Sequence, residues 1–502
     1  MSSRAKKVIL LALAALLLVG VSRIQDSLNN DRDQLGLTRV QPLENAPPVL
    51  AFTTVALGGF RGLISNALWI RAGDLQDEDK FFEMAQLANW ITVLEPHYVQ
   101  VWLVQAWNMA YNISVKFKDF SDRWRWVRRG IELLRDDGLR YNPNETLLYR
   151  ELGWFFQHKM GANMDDANVY YKQQWADEMA VVFGKEEPNL EELIHPQTLE
   201  QTNRARLLRE KYKMDPEFMK VVNERYGPLE WRLPEAHAVY WAALGLKVAE
   251  ENPSKVKPDD LITLRRVVYQ SMQLSFQRGR LIPNAFLKNF EMGPNLDIIP
   301  KVSAAYEQAA EEDKKNHDHI LKAHKNFLKD AVYFLYINNR VADATKWYAE
   351  LARKYPNSNL LDFQPTSFPT NLTMVEYAVN RVQEDVSETM SRDRCKAVIE
   401  GLLANAYNSL AIGQDERAAG FKLLAEQVRT TYSSKTKQRQ DALGLASLDE
   451  IQRDVLNRLL DPARDLIPFE MRDALRTKLG MGPEPTTPPP TTNAVPEKLF
   501  SR

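Results

Sequence analysis

Two segments of this chain share one skeleton, EPHYVQVWLVQAW at residues 95–107 and YNPNETLLYRELGW at residues 141–154. The first contains two tryptophans, an alanine and a leading proline: Pro96, Trp102, Ala106 and Trp107. Each has a counterpart 47 positions further on: Pro143, Tyr149, Gly153 and Trp154. A proline begins a helix at little cost, because the first N–H groups of a helix have no acceptor within it. Both segments therefore predict the first helix of a repeated unit.

Each predicted helix carries a small residue between two large ones on one face. Trp102, Ala106 and Met109 are four and three residues apart, and the second copy keeps the spacing with Phe156 as its last member. A small residue lets a neighbouring helix approach closely and interlock on both sides. A third stretch, WAALGLKV, has similar spacing after Pro234. We therefore predict that these side chains pack helices together.

At these residues the chain resembles the tetratricopeptide repeat, whose first helix carries the pattern W-x-x-L-G-x-x-Y. The second-helix pattern of that family is similar to ADATKWYAELARKYP, with Ala344, Tyr348 and Pro356 at the family's spacing. The resemblance implies an all-α fold, an α-solenoid of helix pairs. The predicted packing residues are Trp102, Ala106, Trp107, Tyr149, Leu152, Gly153, Trp154, Trp241, Leu244, Gly245, Ala344 and Tyr348.

The spacing of 47 residues departs from the 34 residues of that family. Gln105 also replaces an expected apolar residue in the first copy. A divergent array with enlarged turns explains the spacing. A helical repeat of the HEAT type, with its longer period, and a single helical domain without repeats are the alternatives.

The amino terminus predicts a membrane segment. Arg4, Lys6 and Lys7 precede the run VILLALAALLLVGV at residues 8–21, and the next charge is Arg23. The run is longer than the usual core of a signal peptide and slightly shorter than a full span of about 20 residues. An uncleaved anchor is the preferred interpretation, with a cleaved signal peptide and a buried helix as alternatives. Basic residues before the run place the amino terminus in the cytoplasm and the body outside, in the bacterial periplasm.

Composition limits the classes of partner and of site. The 502 residues include 65 basic and 66 acidic ones, a formal net charge of -1 that does not favour nucleic acid. A single cysteine, Cys395, excludes intramolecular disulfides and zinc sites with several cysteines. We expect no cofactor, no metal and no small-molecule substrate.

The chain divides into seven predicted segments. Residues 56–96 are also similar to the opening of helical-repeat proteins tethered to bacterial inner membranes, which implies a scaffold and no particular activity. The segments are a membrane segment (1–24), a polar stalk (25–57), a first repeat block (58–183), a charged helical insertion (184–232), a second repeat block (233–430), terminal helices (431–480) and a Pro/Thr-rich tail (481–502).

Few residues suggest a catalytic, metal-binding or phosphate-binding site. Gly58, Gly59 and Gly62 lack the pattern of a phosphate-binding loop, and we interpret them as a hinge. Cys395 has basic neighbours but no histidine near it in sequence. The histidines in KKNHDHILKAHKN are too far apart along a helix to hold one ion without help: His317, His319 and His324. We predict no catalytic residue.

The stretch SDRWRWVRRG at residues 121–130 alternates arginine with tryptophan. It predicts either a surface that binds anionic lipid headgroups or an acidic peptide, or a helix with Trp packed inward and Arg in solvent. The candidate partner-binding residues are Arg123, Arg125, Arg128 and Arg129. Together, these patterns favour a membrane-anchored scaffold that binds envelope or membrane proteins. A structural subunit of an envelope transport or secretion complex and an envelope hydrolase are the alternatives.

Overall fold

The computed structural model describes residues 60–184, 188–253, 256, 258–284, 289–338, 340–361, 365–385, 390–413, 415–435, 445–464 and 466–482, and a few positions between 20 and 31. Nearly all of the predicted membrane segment, the stalk and the Pro/Thr-rich tail therefore lie outside the described residues. Within the described ranges, no helix combines the length and the apolar character that a membrane span requires.

The chain forms two compact units, which meet in sequence between Glu145 and Thr146. The boundary falls inside the predicted first repeat block and within the second copy of the skeleton, whose Tyr149, Gly153 and Trp154 belong to the second unit. The helices described in the first unit from residue 60 onward are α1 (Phe60–Asp77), α2 (Phe81–Leu94), α3 (Val99–Trp107), α4 (Phe120–Glu132) and the single turn α5 (Leu139–Tyr141).

The second unit is also helical, and most of its neighbouring helices pack in pairs. The closest pairs are α11 with α12, α13 with α14, α14 with α15, and α17 with α18, while α6 packs against α11. Its helices are α6 (Thr146–Trp154), α7 (Asn168–Phe183), α8 (Glu191–Ile194), α9 (Leu199–Glu210), α10 (Pro216–Tyr226), α11 (Pro234–Glu251), α12 (Pro258–Arg278), α13 (Ile299–Glu312), α14 (His317–Ile337), α15 (Val341–Lys354), α16 (Met374–Asp385), α17 (Arg392–Ala411), α18 (Asp415–Lys435), α19 (Leu448–Leu460) and α20 (Phe469–Lys478).

One antiparallel ribbon interrupts the helices, where the sequence predicted none. Strands β1 (Arg280–Asn284) and β2 (Asn289–Gly293) pair from Arg280 opposite Gly293 to Asn284 opposite Asn289. Gly279 and Pro283 interrupt a helical pattern here, and the two short strands satisfy each other's backbone groups. Within the described ranges, the fold is therefore helical with one local β-ribbon.

Capping side chains begin several of the helices. Ser447 accepts a hydrogen bond from the N–H of Glu450, and the Glu450 carboxylate accepts one from the N–H of Ser447. Thr198 and Gln201 form the same reciprocal pair at the start of α9. Each pair satisfies two backbone donors that lie beyond the intrahelical ladder, so these helix starts follow from local sequence.

The repeat is long because its helices are long. Helix α3 continues through a π segment (Asn108–Ile113) and a short 3-10 segment, and α6 continues through a π segment (Phe155–Gly161). Only residues 117–119 separate the helical backbone that follows α3 from the start of α4. The prediction of enlarged turns is therefore wrong at this point in the array. These two π segments begin directly after the second tryptophan of the skeleton, so the irregularity recurs with the same spacing of 47 residues. A further π segment, Leu133–Gly138, continues α4 and follows no tryptophan.

Candidate interaction surface

The first ring of the skeleton is buried in the first unit. Trp102 is 3% exposed, and its indole N–H donates to the carbonyl of Pro96 over 2.8 Å. Its ring stacks on Tyr141 with centroids 5.9 Å apart. The side-chain amide of Asn142 donates to the same carbonyl, also over 2.8 Å. The proline and the tryptophan of the first copy are therefore joined directly, and Ala106 lies fully buried on the same face.

In the second unit, α6 and α11 approach closely at two glycines. A Cβ added at Gly153 would lie 3.0 Å from Val267 Cγ1 and 3.1 Å from the carbonyl oxygen of Ala238. A Cβ added at Gly245 would lie 2.8 Å from the Cβ of Tyr149. The structure thus brings the second and third copies of the pattern against each other. Leu152 is fully buried, Trp241 is 2% exposed, and Leu244 is half-buried.

The pair found in the second-helix pattern lies on α15. Ala344 is fully buried, and the Tyr348 hydroxyl donates to the carbonyl of Leu372 over 2.6 Å. Burial raises the pKa of Tyr348 to about 12. The ring of Tyr348 lies 6.0 Å from that of Tyr377. Both residues therefore contribute to packing within the second unit.

The second tryptophan of each copy was predicted to pack helices together, but in the structure it is only partly covered. Trp107 is 42% exposed, and its ring stacks on Tyr111 with centroids 5.4 Å apart and planes inclined by 17°. Trp154 is half-buried and stacks on His158 at 4.5 Å and 10°. The partner is four residues further on in both cases, within the π segment. Each unit therefore has one such aromatic stack at its surface, here called an outer stack.

The arginines of α4 do not all lie in solvent. Arg123 is buried at 7% exposure, which removes it from the predicted basic surface. Arg125, Arg128 and Arg129 are exposed, and the first two lie near carboxylates, with Arg125 3.3 Å from Asp122. Arg128 lies 3.5 Å from a carboxylate oxygen of Glu132. Exposed ion pairs of this kind contribute little to stability.

Trp126 joins an aromatic cluster that the sequence did not predict. Its ring lies 5.7 Å from that of Phe82 and 6.4 Å from that of Phe117, and the two phenylalanine rings are 6.1 Å apart. Phe82 is 50% exposed, and the other two rings are half-buried. We call these three residues the aromatic cluster. The alternation of Trp and Arg marked Trp126 as a residue of interest. Its contact with α2 could not be predicted, because α2 is distant in sequence.

Of the three candidate histidines, His317 and His324 make contacts within the protein. His324 is 1% exposed and lies between two hydroxyl groups, that of Ser303 at 2.9 Å and that of Tyr355 at 3.0 Å. Burial lowers the pKa of His324 to about 4. His317 contacts the carbonyl of Ala310 over 2.8 Å, and His319 is exposed. Among the described residues, no group of histidine, cysteine and carboxylate side chains is arranged to hold a metal ion.

Cys395 is a buried thiol on α17. It is fully shielded from solvent, and burial raises its pKa to about 12. A thiolate is the nucleophilic form of cysteine, and burial disfavours it. The basic neighbours in sequence therefore do not activate this residue.

A buried charged cluster links the π segment Phe155–Gly161 and the loop after it to α7, α11 and α12. Lys159 contacts Asp165 at 2.5 Å, and Arg278 donates to Glu235 over 2.9 Å. Lys172 is 2% exposed and donates to two asparagine oxygens, those of Asn163 and Asn168, over 3.0 and 2.8 Å. Burial lowers the pKa of Lys172 to about 7. Sequence reasoning missed this cluster because its members are far apart along the chain.

The fold and these surfaces define a helical protein built largely from packed helix pairs. Comparison with known protein families, with curated proteins and with solved structures finds no match to this chain.

Proposed function

We propose that this protein is a membrane-tethered helical-repeat scaffold of the tetratricopeptide type, which binds a protein partner on the outer side of a bacterial inner membrane. The tether is the apolar run at residues 8–21, with the basic residues before it setting the orientation. The observation that carries the binding role is the pair of outer stacks, Trp107 on Tyr111 and Trp154 on His158.

A single exposed tryptophan is not unusual, but the same exposed arrangement repeated at equivalent positions calls for an explanation. Trp107 and Trp154 occupy equivalent positions, begin equivalent π segments and adopt the same stacked geometry. Packing in the core does not account for that agreement, because Trp107 keeps 42% of its surface exposed. Tryptophan is among the residues that contribute most to binding at protein interfaces. The agreement therefore supports a contact surface repeated in each unit.

The stacked geometry suits binding. A ring held flat against Tyr111 or His158 loses little rotational freedom when a partner covers it. The π segment gives the helix a local irregularity of the kind found at functional sites. A partner segment with an apolar or aromatic side chain fits such a ring, since it removes the remaining apolar surface from water.

The test is photo-crosslinking in intact cells, followed by purification and identification of the bound protein. Trp107→Ala and Trp154→Ala are each expected to reduce capture of a specific envelope or membrane protein by about 30-fold, as for an interface hot spot. Trp90→Ala is the matched control, because Trp90 is 50% exposed on α2 and belongs to neither stack. Equal capture by all three variants and the wild type would refute the role of the stacks.

The orientation has its own test. Protease added to spheroplasts with an intact inner membrane is expected to digest the body of the chain. Protection of the body would contradict an outward-facing scaffold, and a shortened soluble form would show that the apolar run is a cleaved signal peptide.

A further inference from the structure

We propose that the aromatic cluster of Phe82, Phe117 and Trp126, with the basic side chains around it, is a docking surface for an anionic lipid bilayer. The proposal goes beyond partner binding by the outer stacks, and it relies on the proposed function only for the membrane tether. It gives the first unit a second contact with the membrane, after the apolar run.

The rings have the arrangement expected of an interfacial group. They contact one another at centroid distances of 5.7 to 6.4 Å, and two of them, Phe117 and Trp126, rest on a core that includes Phe81, Met84 and Ile113. The support holds them in place while half of Phe82 stays in solvent. Tryptophan and phenylalanine are the residues that amphipathic surfaces place at the boundary between headgroups and acyl chains.

Positive charge surrounds the cluster. Lys118 is exposed beside Phe117, and the side chains of Lys116 and Arg125 are 49% and 74% exposed. Apart from the buried Arg123, residues 78–83 and 114–129 together contain six basic and five acidic side chains, a net charge of +1 in a chain whose total is -1. Nearby acids, such as Asp79 at 3.8 Å from Lys116, form exposed ion pairs that contribute little to stability, so a headgroup phosphate can replace the carboxylate. Anionic headgroups therefore complement this surface.

Chain connectivity places the cluster within reach of a bilayer. The apolar run ends at residue 21 and α1 begins at Phe60, so fewer than 40 residues separate a tethered segment from the first unit. A linker of that length spans at most roughly 130 Å even when fully extended. The high local concentration of lipid favours a surface that combines apolar rings with basic residues. A soluble acidic protein gains no such advantage.

The experiment uses the full chain in phosphatidylcholine vesicles with and without phosphatidylglycerol. Val115→Cys carries an environment-sensitive fluorophore, because Val115 is 49% exposed and lies two residues before Phe117 without belonging to the aromatic cluster. Cys395 stays unlabelled because it is buried. Brominated lipid is expected to quench the label only in the anionic vesicles. Lys118→Glu and Arg125→Glu, each made in the Val115→Cys background, are expected to reduce the docked fraction by at least about fivefold each, which corresponds to the attraction of one basic residue to an anionic surface.

A label at Leu199→Cys is the control, since Leu199 is 79% exposed in the second unit. Quenching of both labels would show non-specific adsorption, and quenching of neither would overturn the lipid surface. If Arg125→Glu weakened partner capture but left quenching unchanged, the basic face would be a protein site. Partner capture by the outer stacks is measured separately, so either proposal can fail while the other stands.

Discussion

Gly245 lies so close to Tyr149 that a Cβ at position 245 would stand 2.8 Å from the Cβ of the tyrosine. A second neighbour, Leu264 Cδ2, would also be 2.8 Å away. The glycine of one repeated pattern thus makes room for the ring-bearing residue of another, and α6 and α11 meet through these two positions.

Gly245→Ala is therefore expected to destabilise the protein by about 1 to 3 kcal/mol, because the added methyl group overpacks this contact. Denaturant unfolding measures the change. Gly73→Ala is the control, since Gly73 lies in a helix with nothing within 4 Å of the added carbon. Its helix propensity predicts a gain of about 0.5 to 1 kcal/mol. Losses of equal size in both variants would contradict the close approach.

The lowered pKa of Lys172 predicts that the stability of the folded protein rises with pH above neutrality. Burial lowers its folded-state pKa to about 7 from an ordinary value of 10.5, so the unfolded chain binds more protons between these values. The free energy of unfolding should then increase by up to about 1.4 kcal/mol per pH unit from pH 7 towards 10. Lys172→Met is expected to remove this slope, whereas Lys247→Met, at an exposed position, should retain it. An unaltered slope in Lys172→Met would show that the amine titrates normally.

The lowered pKa of His324 predicts that the folded protein loses stability in acid. Its folded-state pKa is lowered to about 4, chiefly by burial, while the unfolded value is 6.5. The stabilisation is complete above pH 6.5 and is lost as the pH falls towards 4, by up to about 3 kcal/mol. His324→Gln should flatten urea-unfolding free energies over this range. The exposed His319→Gln is the control, and an identical acid profile for both variants would disprove the assignment.

We expect the thiol of Cys395 to be unreactive in the folded protein. Its pKa of about 12 and complete burial leave little accessible thiolate near neutral pH. Iodoacetamide followed by mass spectrometry should detect modification only after unfolding in guanidinium. Rapid alkylation of the native protein would mean that α17 opens or that the thiol is accessible.

The helical class of the fold was predictable from local sequence. Apolar residues three and four positions apart predict helices, and capping pairs such as Ser447 with Glu450 determine where some of them begin. The repeated skeleton also placed Gly153 and Gly245 on faces where helices can approach. These properties depend on neighbours within one or two turns, which the sequence displays directly.

Tertiary structure decided which rings are covered. Trp102 and Trp107 are five residues apart in one pattern, yet the first is buried and the second is 42% exposed, because only one face of α3 meets other helices. The π segments after Trp107 and Trp154 had no signal that we recognised in the sequence.

The other features that the sequence did not predict depend on contacts between distant segments of the chain. Phe82 meets Trp126 across 44 positions, and Lys172 shares its cluster with Arg278, which lies 106 positions further on. Periodicity assigns a residue to a face of its own helix, but it does not say which other helix covers that face. Burial, and with it the pKa of Lys172 and the exposure of the outer stacks, depends on that neighbour, so only the folded chain determines them.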